Sequence, residues 1–335
     1  MAAVMASSGA HPEADNQQAL EQIAGELRGA STATVLCHVF PDADTLGSGL
    51  AVAIALKRWG VPVQVSFGEP LGLPEVFSEL PHADLIVSPD AVATEADVVI
   101  AVDSGSADRL GVLADRMSGA RTSIVIDHHR SNTRFGSVNY VDPSADSTSM
   151  LIARLYDCLG ETIDSDVAHC LYAGLVTDTG SFRWCGPEAH LLAARLIGTG
   201  IDAPAITRAL LDTHPFGRLA MLSAVLGEAQ LVPEAAEGRG LVYTVVRVQD
   251  MAGLPEDERE TVVDIVRTTG EAEVAAVLKQ LGPGRWSVSL RSKQSVDVAK
   301  VAKALGGGGH ARSAGFTADD DTVEHIVASI VRELG

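Results

Sequence analysis

The chain has 335 residues, and a prior of about one domain per 150 residues favours two domains. Apolar residues make up 46% of the chain, which is enough for proper cores and excludes a disordered chain or a disulfide-stapled miniprotein. The net charge of −19 at pH 7 argues against wrapping long duplex nucleic acid, which relies on a large cationic surface. It allows a small anionic substrate held by a local patch or by metal ions.

The first 15 residues carry no Lys or Arg ahead of a weak apolar patch. They are therefore a poor secretory signal, and we predict a disordered tail at residues 1–15. The apolar run at residues 50–56 is far shorter than the roughly 20 residues of a membrane span. The four cysteines have no Cys-x-x-Cys spacing, and Cys37 and Cys170 lie in apolar runs that are typical of buried thiols. We expect a reducing, cytoplasmic location and no membrane partner.

Short apolar runs alternate with helical patterns over residues 16–205, which we predict to be one domain. Strands are predicted at residues 34–38, 61–67, 84–88, 97–103 and 123–127, and helices at about 16–29, 46–59, 146–159, 164–177 and 188–199. Continuous rather than alternating apolar runs are typical of strands buried on both faces. The pattern predicts an α/β fold with a doubly wound, mostly parallel sheet.

The pattern changes after residue 205. Residues 206–230 are predicted to be a helical linker, which the His214-Pro215 pair interrupts. Residues 231–335 are predicted to form a smaller α+β domain, with strands at 241–246, 274–281 and 286–292 and helices at 256–268, 295–305 and 321–334. The sequence Gly282-Pro283-Gly284 predicts a turn that joins two of these strands into a hairpin.

Acidic and histidine side chains follow three predicted strands at the points where those strands end. A single histidine on a strand is more often structural, but this set is too large to arise by accident. In an open α/β sheet the carboxyl ends of the strands form the ligand crevice, so we expect these groups to lie close together. The set consists of His38, Asp42, Asp44, Asp103, Asp127, His128 and His129.

These residue types point to metal chemistry. No thiolate is among them, which excludes a cysteine-based structural zinc site. Mixed imidazole and carboxylate ligands suit Mn²⁺, Zn²⁺, Fe²⁺ or Co²⁺, and the excess of carboxylates favours Mn²⁺. The groups are too many for one ion and about right for two. Two cations roughly 3.5–4 Å apart activate water and stabilise an in-line displacement at phosphorus, so the predicted reaction is phosphoester hydrolysis.

Two groups of motifs resemble the DHH phosphoesterases and their companion DHHA1 domain, and together they span residues 34–316. The first group is His38-x₃-Asp42-x-Asp44-x₂-Gly47-Ser48, the lone Asp103, Asp127-His128-His129-x₂-Asn132 and Thr177-Asp178-Thr179-Gly180. The second is the glycine run at residues 306–309 followed by His310. The resemblance implies an enzyme that hydrolyses short oligoribonucleotides, cyclic di-AMP or 3′-phosphoadenosine 5′-phosphate.

The resemblance also implies roles for individual residues. His38, Asp42 and Asp103 would hold one ion. The second ion would be held by Asp44, Asp103, His128 and Asp178, with Asp103 bridging the two. Asp127 would orient a histidine, and His129 would face the scissile phosphate and stabilise charge or protonate the leaving oxygen. The assignment of Asp178 as a metal ligand depends most on the resemblance, because its position alone indicates only that it lies near the C-terminal end of a helix.

The predicted second domain carries the sequence signal for substrate binding. Residues 279–312 contain seven basic residues against the single acid Asp297, a local charge of +6. Consecutive glycines let backbone N–H groups approach a phosphate closely. We expect the substrate to contact Gly307, Gly308, Gly309 and His310, with Arg291 or Arg312 as its charge partner.

Other functions remain open from the sequence. A family II inorganic pyrophosphatase has a similar first domain but lacks the glycine run before His310. A processive single-strand exonuclease needs a longer basic track. A nucleotide-sensing module would bind without cleaving, and usually loses a metal ligand. Partners are expected to be short RNA oligonucleotides or cyclic dinucleotides, and the resemblance implies a homodimer.

Overall fold

The computed structural model describes residues 12–319 and 321–335. The predicted tail at residues 1–15 therefore lies largely outside the described residues, as does the side chain of His310. The chain forms two compact units that meet in sequence at Thr213 and His214. No helix in the described ranges is long and apolar enough to cross a bilayer.

The first unit is built on a five-stranded sheet in which all paired strands are parallel. Its strands are β1 (Ala33–Cys37), β2 (Val63–Phe67), β3 (Val98–Val102), β4 (Thr122–Asp127) and β5 (Val138–Val141). Their order in the sheet is β2-β1-β3-β4-β5. The connections reverse direction between β1 and β3, and in such folds the crevice beyond the strand ends at this point is the usual ligand site.

Helices cover both faces of this sheet. They are α1 (Pro12–Arg28), α2 (Ala43–Arg58), α3 (Asp115–Gly119), α4 (Thr148–Leu159), α5 (Ser165–Asp178), α6 (Pro187–Ile197) and α7 (Ala203–Leu211). Successive residues of each strand pack into hydrophobic cores on opposite faces of the sheet. Val35 and Ile100 belong to one core, and Leu36 and Ala101 belong to the other. Burial on both faces explains the continuous apolar strands and confirms the doubly wound α/β prediction.

Glycines bring α2 and α5 into direct backbone contact. A Cβ atom at Gly47 would lie 2.2 Å from the carbonyl oxygen of Cys170, and one at Gly174 would lie 2.4 Å from Oδ1 of Asp44. Any larger residue at either position would force the helices apart. The helix predicted at about 46–59 begins earlier, at Ala43, so Gly47 lies inside α2 and serves this helix contact.

The second unit contains a mixed six-stranded sheet in the order β10-β11-β9-β8-β7-β6. The strands are β6 (Gln230–Val232), β7 (Leu241–Val246), β8 (Val274–Gly282), β9 (Arg285–Ser292), β10 (Gly308–His310) and β11 (Ser313–Ala318). The helices are α8 (Gly217–Gly227), α9 (Ala235–Gly238), α10 (Val262–Val266), α11 (Val298–Ala304) and α12 (Val323–Leu334). β8 and β9 form the predicted hairpin. The smaller α+β domain is confirmed.

The structure corrects several element predictions. Residues 84–88 are not a strand, because only Ile86 pairs with the sheet, through one bridge to Val65. The predicted helix at 256–268 divides into a short 3₁₀ turn, Glu256–Arg259, and the single turn of α10. Four short strands were missed: β5, β6, β10 and β11. The domain limits at 205 and 231 stay a prediction; α7 packs within the first unit and α8 within the second.

The four cysteines are free thiols in two environments. Burial raises the pKa of the Cys37 thiol to about 12 and also holds that of Cys170 well above its usual value, whereas Cys158 and Cys185 are partly exposed.

Because the thiolate is the reactive form, brief treatment of the folded protein with N-ethylmaleimide at neutral pH should modify Cys158 and Cys185 and spare the other two. Peptide mass spectrometry measures this; rapid labelling of Cys37 or Cys170 would contradict the buried packing.

Candidate metal centre

The structure brings the predicted acids and histidines together at the carboxyl edge of the first sheet. His38 follows β1, Asp103 follows β3 and Asp127 ends β4. These strands are neighbours, so their ends share the crevice at the point where the connections reverse. Asp103 lies in the left-handed backbone region (φ +54°), which is costly for a non-glycine residue and is found mostly where a site requires it.

One trio consists of His38, Asp42 and Asp103, with one candidate ligand atom from each lying within 4.8 Å of the others. Nε2 of His38 lies 3.5 Å from Oδ2 of Asp42 and 3.6 Å from Oδ2 of Asp103. Nδ1 of His38 lies 2.9 Å from the Val39 carbonyl and 3.3 Å from the guanidinium of Arg109, so Nε2 is the ring nitrogen that faces the two acids and is placed to bind an ion. Asp42 also caps α2, since its Oδ1 accepts hydrogen bonds from two backbone N–H groups and its Oδ2 remains on the trio side.

A second trio consists of Asp44, His128 and Asp178. Nε2 of His128 lies 3.3 Å from Oδ2 of Asp178 and 3.5 Å from Oδ1 of Asp103. Nδ1 of His128 lies 3.2 Å from the carbonyl of Ala145, so here too Nε2 is available for an ion. Asp103 thus directs Oδ2 towards the first trio and Oδ1 towards the second, which is the arrangement needed to bridge two ions.

His129 and Asp127 form a hydrogen-bonded pair next to the trios, and Nδ1 of His129 lies 3.6 Å from Oδ1 of Asp103. Nδ1 of His129 lies 2.6 Å from Oδ1 of Asp127, and the other oxygen of Asp127 accepts a 2.6 Å hydrogen bond from Asn132. Burial opposes ionisation of Asp127, but these hydrogen bonds outweigh it and lower its pKa. Burial likewise opposes protonation of His129, yet the bond to Asp127 and the nearby charge of Asp103 raise the pKa of His129 to about 9.

The N-terminal turn of α4 holds the carboxylates in place, and sequence reasoning missed it. The backbone N–H of Thr148 donates to Oδ2 of Asp44 (2.6 Å), and that of Ser149 donates to Oδ1 (2.9 Å). The hydroxyl of Thr148 donates to Oδ1 of Asp103 (2.8 Å). Ser147 could be recognised as a helix cap from the sequence, but nothing there links α4 to an aspartate about one hundred residues earlier.

The raised pKa values in this cluster indicate that nearby positive charges do not neutralise its carboxylates. Burial and the charge of Asp103 raise the pKa of Asp44 to about 7. Burial and the charges of Asp44 and Asp103 raise the pKa of Asp178 well above its usual range. For His38, burial acts to lower the pKa, but Asp42 and Asp103 outweigh it and raise the pKa to about 10. Crowded carboxylates that retain protons are a donor set that fits divalent cations.

Comparison with known proteins agrees with this geometry. The DHH family N-terminal domain matches residues 32–175, and the DHHA1 domain matches residues 239–335. The bifunctional oligoribonuclease and PAP phosphatase NrnA of Thermus thermophilus is 31% identical over 90% of this chain and 89% of its own. The chain belongs to the DHH family.

Two further similarities extend this result. The cyclic-di-AMP phosphodiesterase GdpP of Geobacillus thermodenitrificans is 26% identical over 86% of this chain, which corresponds to only 45% of that longer protein. The crystal structure of an exopolyphosphatase-related protein from Bacteroides fragilis shares the fold, with a TM-score of 0.86, 24% identity and coverage of 95% of this chain and 96% of that one.

The predicted substrate residues of the second unit lie in β9, just before β10, in β10 and in the turn that follows β10. A Cβ atom at Gly307 would lie 2.1 Å from the carbonyl oxygen of Gly315, and Gly309 has φ +136°, so the fold itself requires both glycines. At Gly308 a Cβ atom would meet nothing within 4 Å. Arg312 donates a long hydrogen bond, 3.4 Å, to the Ser292 hydroxyl, and Arg291 donates to the carbonyl of Leu290.

The basic character of residues 279–312 is smaller than their net charge predicts. Lys279 is buried in an ion pair with Glu260, and Nε of Arg285 lies 3.1 Å from Oδ1 of Asp319. Arg291 is half-buried and forms no ion pair within the part of the chain that the structure describes. Both predicted charge partners, Arg291 and Arg312, therefore retain guanidinium donors for a ligand.

Binding of a divalent cation should release protons. The pKa of Asp44 is raised to about 7, that of His38 to about 10, and that of Asp178 well above its usual range, so a cation must displace protons from this cluster. We expect the affinity for Mn²⁺ to fall as the pH is lowered through 7. Titration calorimetry at fixed pH in two buffers of different ionisation enthalpy measures the released protons. Equal enthalpies in both buffers would contradict the assignment.

Removal of the Thr148 hydroxyl should weaken metal binding without disturbing packing. Thr148→Val deletes one donor to the Asp103 carboxylate, and hydrogen bonds to charged groups contribute about 1.5–3 kcal/mol. We expect roughly 10- to 150-fold weaker Mn²⁺ binding by calorimetry. Thr148→Ser retains the hydroxyl and is the matched control. Equal affinity of the Val and Ser variants would show that the hydroxyl does not position Asp103.

Proposed function

We propose that this protein is a two-metal phosphodiesterase that hydrolyses short oligoribonucleotides, such as pApA, to nucleoside monophosphates. Further proposed substrates are cyclic di-AMP, which is also a phosphodiester, and 3′-phosphoadenosine 5′-phosphate, whose 3′-phosphate is a phosphomonoester that would leave as inorganic phosphate. The observation that carries the proposal is the position of Asp103, one oxygen of which faces each trio. A bridging carboxylate between two ion sites is the arrangement that in-line phosphoester hydrolysis uses.

The two trios would hold one divalent cation each, most favourably Mn²⁺ because carboxylates predominate among the ligands. Such cations activate water and neutralise charge that develops on the phosphoryl oxygens. The protein itself holds the ligand side chains in fixed positions. Carbonyl groups fix the ring orientations of His38 and His128, and the first turn of α4 fixes Asp44 and Asp103. Preorganised ligands need no rearrangement during the reaction.

His129 is the proposed acid. Asp127 holds Nδ1, so chemistry at the substrate falls to Nε2 of the same ring. The hydrogen bond to Asp127 raises the pKa of His129 and so favours the protonated imidazole. It then stabilises negative charge on the phosphate or gives its proton to the leaving ribose oxygen.

We infer a short substrate from the charge of the chain and assign the binding of its distant part to the second unit. The overall charge of −19 disfavours a long phosphate tract. Arg291 would pair with a substrate phosphate distant from the cleaved bond. The open space at the Cβ position of Gly308 would let a ligand approach the backbone closely. Gly307, Gly309, His310 and Arg312 complete the proposed binding segment. NrnA and GdpP relatives, which are named for oligoribonuclease and cyclic-di-AMP phosphodiesterase activities, support this substrate class.

The central catalytic prediction concerns Asp103. Asp103→Asn keeps the size of the side chain and its tolerance of the left-handed backbone but removes the charge shared by both trios. We expect hydrolysis of pApA with Mn²⁺ to fall by several orders of magnitude, measured as AMP by chromatography. Asp90→Asn, at an exposed aspartate that belongs to none of the candidate ligand groups, should match the wild type. Retention of more than about a tenth of the activity by Asp103→Asn would contradict a bridging role.

A second prediction separates the substrate classes. Oligoribonucleotides of two to five residues should be cleaved faster than a long single strand, and inorganic pyrophosphate should be a poor substrate. Arg291→Met should raise the Michaelis constant for pApA, while Arg285→Met, which removes an exposed guanidinium already paired with Asp319, should not. A preference for a long strand would indicate a processive exonuclease instead. A preference for pyrophosphate would indicate an inorganic pyrophosphatase. Binding of pApA without cleavage would support a sensing module.

A further inference from the structure

Phe40 lies between two candidate metal ligands in a backbone conformation that phenylalanine rarely adopts. Its φ angle is +52°, and a bulky side chain with positive φ is a genuine outlier. Two hydrogen bonds hold the backbone there: the N–H of Phe40 donates to the carbonyl of Glu69 (2.6 Å), and that of Val39 donates to the carbonyl of Arg109 (2.8 Å). Strain of this kind persists only where the surroundings impose it, and it concentrates at functional sites.

Packing does not compensate for this strain. The Phe40 side chain is 67% exposed, whereas folding would favour burying such a ring. The loops that hold residues 39 and 40 also carry exposed apolar side chains, Leu71 at 83% and Val112 at 72% exposure. An exposed aromatic ring on a strained backbone does not help the fold, so its role is more simply explained by binding.

We propose that Phe40 stacks on a nucleobase of the substrate, an inference that rests on the proposed function. Phe40 is two residues from both His38 and Asp42, so its Cα lies within about 7 Å of the Cα of each. A nucleobase is separated from its phosphate by one sugar ring. A base next to a phosphate held by the trio can therefore reach this ring.

Another exposed aromatic near a candidate ligand is less suited to this role. The Trp184 indole N–H donates to the carbonyl of Asp178 (2.9 Å), and the guanidinium of Arg183 lies 5.0 Å from the centroid of its ring. That ring already has partners on the protein. Stacking on Phe40 would tolerate every base, because each has a π face, and it would favour nucleotide substrates over pyrophosphate.

The test compares ring removal with base removal. Phe40→Ala should raise the Michaelis constant for pApA by roughly 5- to 150-fold, the range for losing one base stacked on an aromatic ring. Phe40→Tyr keeps an aromatic ring and should stay close to the wild type. Two pApA analogues, each lacking one of the two adenines, are compared in parallel. On the analogue that lacks the stacked adenine, all three proteins should perform alike, and their bound metal should be equal by elemental analysis.

Each outcome of this test has one reading. If wild type cleaves pApA and Phe40→Ala equals it, or is impaired equally on pApA and on both base-free analogues, the stacking role is wrong and the proposed function stands. If wild type does not cleave pApA, the proposed function and this inference both fail. Phe40→Asn adds an independent readout. Since Asn tolerates a positive φ, its melting temperature should equal or exceed that of wild type; a marked decrease would assign the ring a packing role instead.

Discussion

The mutual repulsion of buried carboxylates around Asp103 is the constraint on which the site depends. Asp44 and Asp103 are almost fully buried, and Asp178 is close enough to both for their charges to raise its pKa. Isolated charges in such a place are strongly unfavourable unless they are paired, hydrogen-bonded or bound to metal. The α4 N–H groups and the Thr148 hydroxyl compensate part of that cost, and cations would compensate the rest.

The fold makes this concentration of charge possible. Three parallel strands end at one edge, and the reversal between β1 and β3 opens a crevice there. The contact of α2 and α5 through Gly47 and Gly174 then brings Asp44 near the end of α5, where Asp178 lies. Helix packing in the core is therefore coupled to the geometry of the second trio.

Much of this architecture could be predicted from local sequence patterns. Continuous apolar runs indicated the central strands, and acids at strand ends indicated a shared edge, because both signals depend on a few adjacent residues. Contacts between distant segments carried no such signal, so the hold of α4 on Asp44 was missed. The glycine run before His310 was interpreted as a ligand loop, yet β10 pairs with β11 and its packing alone requires Gly307 and Gly309. The predicted cytoplasmic location and homodimer stay predictions.

The claim that Asp103 joins two cations is tested most directly by electron paramagnetic resonance of the Mn²⁺-loaded protein, with metal content measured on the same sample. The account predicts two Mn²⁺ ions per chain and a spectrum of an exchange-coupled pair, because a shared carboxylate places the ions close together. Replacement of Asp103 by Asn should abolish that coupling. One ion per chain, or two ions with the spectrum of isolated Mn²⁺, would contradict the account.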